Sequence, residues 1–118
     1  MNPDNKTQSE RAQVVEIAKR MLSGEIDLIA GSRKLSDLRH AIGESENPAF
    51  FPIVGFESET DDYPVGEQRQ QYDQNELKRL DKEMQDYIEQ VKPAVLAACR
   101  RILERLEIRG RHTGFDLT

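Results

Sequence analysis

The sequence predicts an all-α domain of three to four helices, with a long kinked C-terminal helix and an ordered acidic and aromatic loop of about 30 residues. Three observations support this fold class. Apolar residues recur at steps of three and four in three separate segments, while a central stretch rich in proline lacks that period. The length of 118 residues suits a single core. We expect one helical domain over residues 1–118, with residues 1–6 and 109–118 flexible.

The first predicted helix covers residues 8–22. Thr7 and Glu10 have the spacing of a capping box, in which each side chain satisfies a free backbone N–H group of the other. Ser23 and Gly24 provide the stop signal. The predicted buried face consists of Val14, Val15, Ile17, Ala18, Met21 and Leu22.

A second helical region is predicted over residues 25–42. Gly31 and Ser32 interrupt it, because glycine costs about 1 kcal/mol relative to alanine inside a helix and serine is a good N-cap. We therefore expect two short helices at an angle, closed by Gly43 as the C-cap. The apolar positions are Ile26, Leu28, Ile29, Leu35, Leu38 and Ile42.

The central segment, residues 44–72, shows no helical period. Pro48, Pro52 and Pro64, together with two glycines, indicate turns and argue against a long helix. The apolar residues in this segment are sufficient to anchor it, so we predict an ordered loop with a short extended piece at residues 53–57. These anchors are Phe50, Phe51, Ile53, Val54, Phe56, Tyr63 and Val65.

The last predicted helix covers residues 73–107, with Asp73 and Glu76 at its capped start. At this length it would extend about 50 Å. Pro93 removes a backbone donor, so a kink or break is expected near residues 89–93. Its apolar seam consists of Leu77, Leu80, Met84, Tyr87, Val91, Val95, Ala98, Ile102 and Leu106.

Composition limits the classes of function. With 22 acidic and 17 basic residues, the net charge of −5 opposes general affinity for nucleic acid or anionic membranes. The only cysteine, Cys99, lies on the apolar seam and is expected to be structural. No secretory signal, membrane span, cofactor motif or metal motif is recognisable, so we expect a cytoplasmic protein without a cofactor.

The candidate site is an acidic run in the central segment. Glu57, Glu59, Asp61 and Asp62 lie close together, next to aromatic anchors. Carboxylates held near one another before binding would attract a basic protein surface. Phe50, Phe51 and Tyr63 could add the aromatic hot spots that charge alone rarely supplies. We predict partner binding through these seven residues and no catalytic residue.

Other uses of the same carboxylates stay open. A calcium-binding loop needs a central glycine and a glutamate at its twelfth position, and no register from Glu57, Glu59 or Asp61 supplies both. The same carboxylates could still serve a carboxylate- or metal-dependent hydrolase, which is the third hypothesis. Alternatively, the acidic run could pair internally with the arginines of the last helix and tail. These are Arg100, Arg101, Arg105, Arg109 and Arg111.

The runs GEIDLIAGSRKLSDLRH (24–40) and ESETDDYPVGEQRQQY (57–72) resemble a group of small uncharacterised bacterial proteins. Some proteins of this kind resemble immunity proteins encoded beside toxins of contact-dependent inhibition systems. The likeness covers most of residues 10–80 and implies no catalytic role. Its Ser-Glu-Thr-Asp, Pro-x-Gly and Arg pattern falls on Ser58, Glu59, Thr60, Asp61, Pro64, Gly66, Glu67 and Arg69.

The functional prediction is therefore a non-catalytic binding protein, in its most specific form an immunity-type inhibitor that blocks a basic toxin domain. The alternative is a structural or regulatory homodimer formed through the long C-terminal helix.

Overall fold

The computed structural model describes residues 3–64 and 66–112, and the side chains of residues 7–64 and 66–106. This part of the chain contains helices and no strand, which confirms the all-α prediction. In chain order, the elements are α1 (Pro3–Ser23), α2 (Leu28–Ala41), a first 3-10 helix (Pro48–Phe50), α3 (Phe51–Glu59), a second 3-10 helix (Gly66–Gln71) and α4 (Gln74–His112).

Helix α1 begins earlier than predicted. It starts at Pro3, a residue whose fixed φ suits a first helical turn. Thr7 and Glu10 therefore lie inside the helix, and the predicted capping box at its start is wrong. The predicted end is confirmed, because α1 stops at Ser23 and Gly24 follows with a φ of 82°.

Helix α2 is continuous through Gly31 and Ser32, so the prediction of two short helices is wrong. A Cβ atom at Gly31 would lie 2.6 Å from Cγ of Met21, which shows that this glycine allows α1 and α2 to approach closely. The cap that begins the helix is Asp27, whose Oδ2 accepts from the N–H of Ala30 at 3.0 Å. The C-cap is Ile42, one residue before the predicted Gly43, and Gly43 follows it with a φ of 75°.

The central segment is largely helical, so the predicted 30-residue loop is not found and the extended piece at residues 53–57 is wrong. Pro48 lies in the first turn of the first 3-10 helix and Pro52 in the first turn of α3. Proline is well tolerated in a first turn, where its missing N–H has no helical partner in any case. Ile53, Phe56 and Thr60 form the buried stripe of this segment.

Helix α4 is the longest element. Its 39 residues extend about 58 Å, close to the 60 Å longest dimension of the molecule. Asp73 caps its start, because Oδ2 accepts from the N–H groups of Asn75 at 3.1 Å and Glu76 at 3.3 Å. The helix continues through Pro93, so the predicted break near residues 89–93 is wrong, while a bend at Pro93 stays a prediction.

The core lies where the C-terminal half of α4 packs against α1, α3 and the first 3-10 helix. Cys99 is fully buried there, with Sγ 3.9 Å from Sδ of Met21. Burial raises the pKa of its thiol to about 11, which fits the predicted structural role. The core side chains of α4 are Val95, Ala98, Cys99, Ile102 and Leu106.

Some predictions concern residues beyond the described part. Val65, residues 1–2 and residues 113–118 lie outside it. Helical backbone covers residues 3–6 and 109–112, and the predicted flexibility of the two termini stays a prediction. Over the part that is described, no helix combines the length and the apolar character needed to cross a bilayer.

Candidate functional site

A strap of residues 61–64 and 66–72 lies against the N-terminal half of α4. One cluster of polar side chains holds it there: Arg69 donates to both carboxylate oxygens of Asp81, with Nη1 3.0 Å from Oδ1 and Nη2 2.7 Å from Oδ2. The hydroxyl of Tyr63 donates to the same Oδ1. We call Tyr63, Arg69 and Asp81 the clamp. A bidentate pair of this kind fixes direction as well as distance.

The clamp is charged at neutral pH. Hydrogen bonds from Arg69, and then from Tyr63, lower the pKa of Asp81 below its usual value. Burial raises the pKa of Tyr63, and its hydrogen bond to Asp81 raises it further. The Tyr63 phenol is therefore neutral and a donor, and the guanidinium of Arg69 lies over its ring, 5.9 Å from the centroid.

Beside the clamp, the strap, the end of α3 and the first half of α4 enclose a groove of about 390 Å³. All three tyrosines of the chain, Tyr63, Tyr72 and Tyr87, line it. Leu80 and Met84 add apolar surface from α4. Tyr72 is 38% exposed, one of only two large hydrophobic side chains in the described residues with that much exposure. The groove therefore offers aromatic surface to a ligand.

Four carboxylates border this groove, which we call the acidic groove: Glu59, Asp62, Glu76 and Glu83. Arg79 pairs with Glu76 at 3.2 Å and with Glu83 at 3.0 Å. Among the side chains that the structure describes, Glu59 and Asp62 form no ion pair. Burial raises the pKa of Tyr87, and the negative charge of Glu59 raises it further, so this carboxylate lies close enough to act on the Tyr87 phenol.

The structure brings together only part of the predicted binding set. Glu59, Asp62 and Tyr63 line the acidic groove. Glu57 is half-buried on α3 and Asp61 is exposed on the strap, and neither lines it.

The two predicted phenylalanines differ from each other. Phe50 is 1% exposed and belongs to the core, so its ring is not available to a partner in this conformation. Phe51 is 56% exposed but does not line the acidic groove.

Several residues of the resemblance pattern have structural positions. Thr60 is fully buried; its hydroxyl donates to the carbonyl of Phe56 at 2.9 Å, and its own carbonyl accepts from Nη2 of Arg33 at 3.1 Å. These bonds close the C-terminal end of α3, where carbonyls lack helical partners. Pro64 is buried and Gly66 has a φ of 59°. Ser58 and Glu67 are exposed, and Arg69 belongs to the clamp.

Sequence reasoning missed the contribution of α4 to this site. Glu76, Leu80, Glu83 and Tyr87 follow one another at steps of four, three and four, which places them on one helix face. This alternation of carboxylates with a leucine and a tyrosine on one face was the sequence signal that could have indicated the contribution of α4 to the site. Asp81 and Tyr72 had no such signal, because their roles depend on where the strap lies.

The predicted pairing of the acidic run with the C-terminal arginines is not observed for the side chains described. Arg105 instead pairs with Glu44 at 3.4 Å, and Arg100 and Arg101 are exposed. The side chains of Arg109 and Arg111 lie outside the described residues. Over the described part of the chain, no group of three or more His, Cys, Asp or Glu side chains could hold a metal ion.

Comparison with known proteins gives one match. Residues 2–102 match a family described as a protein of unknown function, DUF2489. Neither a curated protein nor a solved structure matches the chain.

Proposed function

This chain belongs to the DUF2489 family, and we propose that it is a non-catalytic binding protein whose acidic groove receives a basic protein partner. The observation that carries this proposal is the combination, in one groove, of three tyrosines with two carboxylates that have no ion pair in the described structure. Carboxylates speed the encounter with a basic surface, and aromatic side chains supply most of the contact energy.

The arrangement suits binding because the groove is already ordered. The hydroxyl of Tyr63 donates to the carboxylate of Asp81 and accepts from Nη1 of Arg69 at 3.2 Å, which fixes this ring in the clamp. Tyr87 stacks on Phe56, a core residue, with ring centroids 6.0 Å apart and an angle of 11° between the rings. Binding groups that are fixed in advance lose less conformational entropy when a partner arrives.

The most specific form of this proposal is an immunity-type inhibitor that blocks a basic toxin domain in the cytoplasm. It is supported by the sequence resemblance over residues 24–40 and 57–72 and by the net charge of −5. The homodimer through α4 has less support, because exposed positions of this helix such as Lys82, Glu89 and Lys92 are charged.

The test uses the variant Glu59→Gln with Asp62→Asn, which removes the two groove carboxylates that have no ion pair among the described side chains. The probe is a fluorescent peptide in which every second residue is glycine and the residues between are arginine and lysine in turn. Its affinity is measured by fluorescence anisotropy at about 0.15 M salt, where screening is physiological. We expect the variant to bind at least about tenfold more weakly than the unmodified chain, at an unchanged melting temperature.

The matched control is Asp37→Asn with Glu46→Gln, which changes the net charge equally at exposed residues that do not line the acidic groove. We expect it to lose only the small affinity that follows from net charge. An equal loss in both variants, or no binding by the unmodified chain, would contradict the proposal.

A further inference from the structure

We infer that the acidic groove selects arginine over lysine, so that the ligand it receives is the guanidinium group of an arginine on the partner. This inference rests on the proposed function and names the chemistry that the groove recognises.

The clamp shows how this chain binds a guanidinium group. Arg69 lies over the ring of Tyr63 and forms two hydrogen bonds to the carboxylate of Asp81. The Tyr63 hydroxyl and the Pro64 carbonyl also accept from its Nη1, at 3.2 and 3.4 Å, so an aromatic face and a carboxylate are the main partners of this guanidinium, with two weaker acceptors beside them. This guanidinium belongs to the chain itself, so the clamp is already occupied by Arg69.

The acidic groove also brings aromatic rings and carboxylates together. Here, no arginine among the described side chains pairs with Glu59 or Asp62. Arg79 covers Glu76 and Glu83, whereas Glu59 and Asp62 have no ion pair among the side chains described. Tyr72 and Tyr87 line the same groove. A guanidinium that enters would therefore meet the tyrosine surface together with a carboxylate that no cation of the described residues covers.

Physical chemistry favours arginine for this position. The guanidinium group is planar, stacks on aromatic rings and is more weakly hydrated than an ammonium group, so it loses less solvation against a tyrosine. It can also give two parallel hydrogen bonds to one carboxylate, which an ammonium group cannot match in geometry. The groove volume of about 390 Å³ leaves room for the side chain and for neighbouring atoms of the partner.

The experiment compares two fluorescent peptides of equal length and charge, one alternating glycine with arginine and the other glycine with lysine. We expect the unmodified chain to bind the arginine peptide about five- to tenfold more tightly. Tyr72→Leu should remove most of this preference, and Tyr72→Phe should keep it, because phenylalanine retains the aromatic face. Tyr72 is part-exposed, and circular dichroism of each variant verifies that the helices are intact.

Each outcome has one meaning. Equal binding of the two peptides overturns the selection of arginine and leaves the proposed function standing. A preference that survives Tyr72→Leu unchanged overturns the role of the tyrosine. If neither peptide binds, the proposed function itself fails.

Discussion

The two halves of α4 carry the same apolar period but are used in different ways. In the C-terminal half, Val95, Ala98 and Ile102 are each 1% exposed and pack against other helices. In the N-terminal half, Leu80 and Met84 are only partly buried and line the acidic groove. One seam therefore builds a core at one end of the helix and lines the acidic groove at the other.

What holds the two ends also differs. The core end is held by close apolar packing. The strap is held by the hydrogen bonds and ion pair of the clamp, together with the buried Pro64 and the partly buried Tyr63 ring. Regions with few buried apolar contacts open locally at lower free energy than the core does. We therefore expect that damage to the core unfolds the whole chain, while damage to the clamp frees the strap alone.

The largest expected effect separates two adjacent phenylalanines. Phe50→Ala should lower the free energy of unfolding by about 3–5 kcal/mol, because it leaves a cavity beneath the first 3-10 helix. Phe51→Ala should change it by no more than about 0.5 kcal/mol, since that ring is 56% exposed. Urea denaturation measures both values. Similar losses in the two variants would show that Phe51 contributes to the packing of the core as much as Phe50 does.

The next effect concerns two glycines inside helices. Gly31→Ala would bring a Cβ atom to 2.6 Å from Cγ of Met21, which Cys99 contacts through its sulfur. Overpacking costs about 1–3 kcal/mol and alanine returns about 1 kcal/mol of helix propensity, so we expect a net loss of about 1 kcal/mol.

Gly55→Ala is the matched control for Gly31→Ala. A Cβ atom at Gly55 meets nothing within 4 Å, so this change should stabilise α3 by up to about 1 kcal/mol. Thermal melts of the two variants should therefore shift in opposite directions. A stabilised Gly31→Ala would mean that Met21 moves away at little cost.

The smallest effect on global stability belongs to the clamp. Asp81→Asn should speed hydrogen exchange of the strap amides, such as the Tyr72 N–H that donates to the carbonyl of Arg69, with little change in the melting temperature. The control is Asp86→Asn, an exposed position on the same helix. A fall in melting temperature as large as that of Phe50→Ala would show that the strap and the core unfold together.

The clamp also gives the strap a pH dependence. Because the pKa of Asp81 is lowered in the folded chain from its ordinary 3.8, the clamp contributes fully above that value. The contribution is lost as the pH falls through the lowered pKa of Asp81. Hydrogen exchange of the strap, after correction for the intrinsic rate, should therefore rise on acidification, and Asp81→Asn should remove this dependence.

Sequence patterns succeeded where the local cause is also the structural cause. The apolar periods of α1 and α4, the Asp73 cap and the Gly43 stop were all predicted from neighbouring residues. The prolines misled the prediction because their effect depends on position. Pro48 and Pro52 were interpreted as breakers, yet both lie in first helical turns, and Phe50, Ile53 and Phe56 already had helical spacing.

The sequence by itself determined the all-α class, the start of the long helix and the acidic run at residues 57–62, because periodicity, capping and charge act over a few residues. Only the tertiary structure decided that Gly31 lets α1 and α2 approach closely, and that Phe50 is buried while Phe51 is exposed. It also decided that Arg69 pairs with Asp81. These facts depend on which faces of separate elements come together, and no local rule fixes that choice.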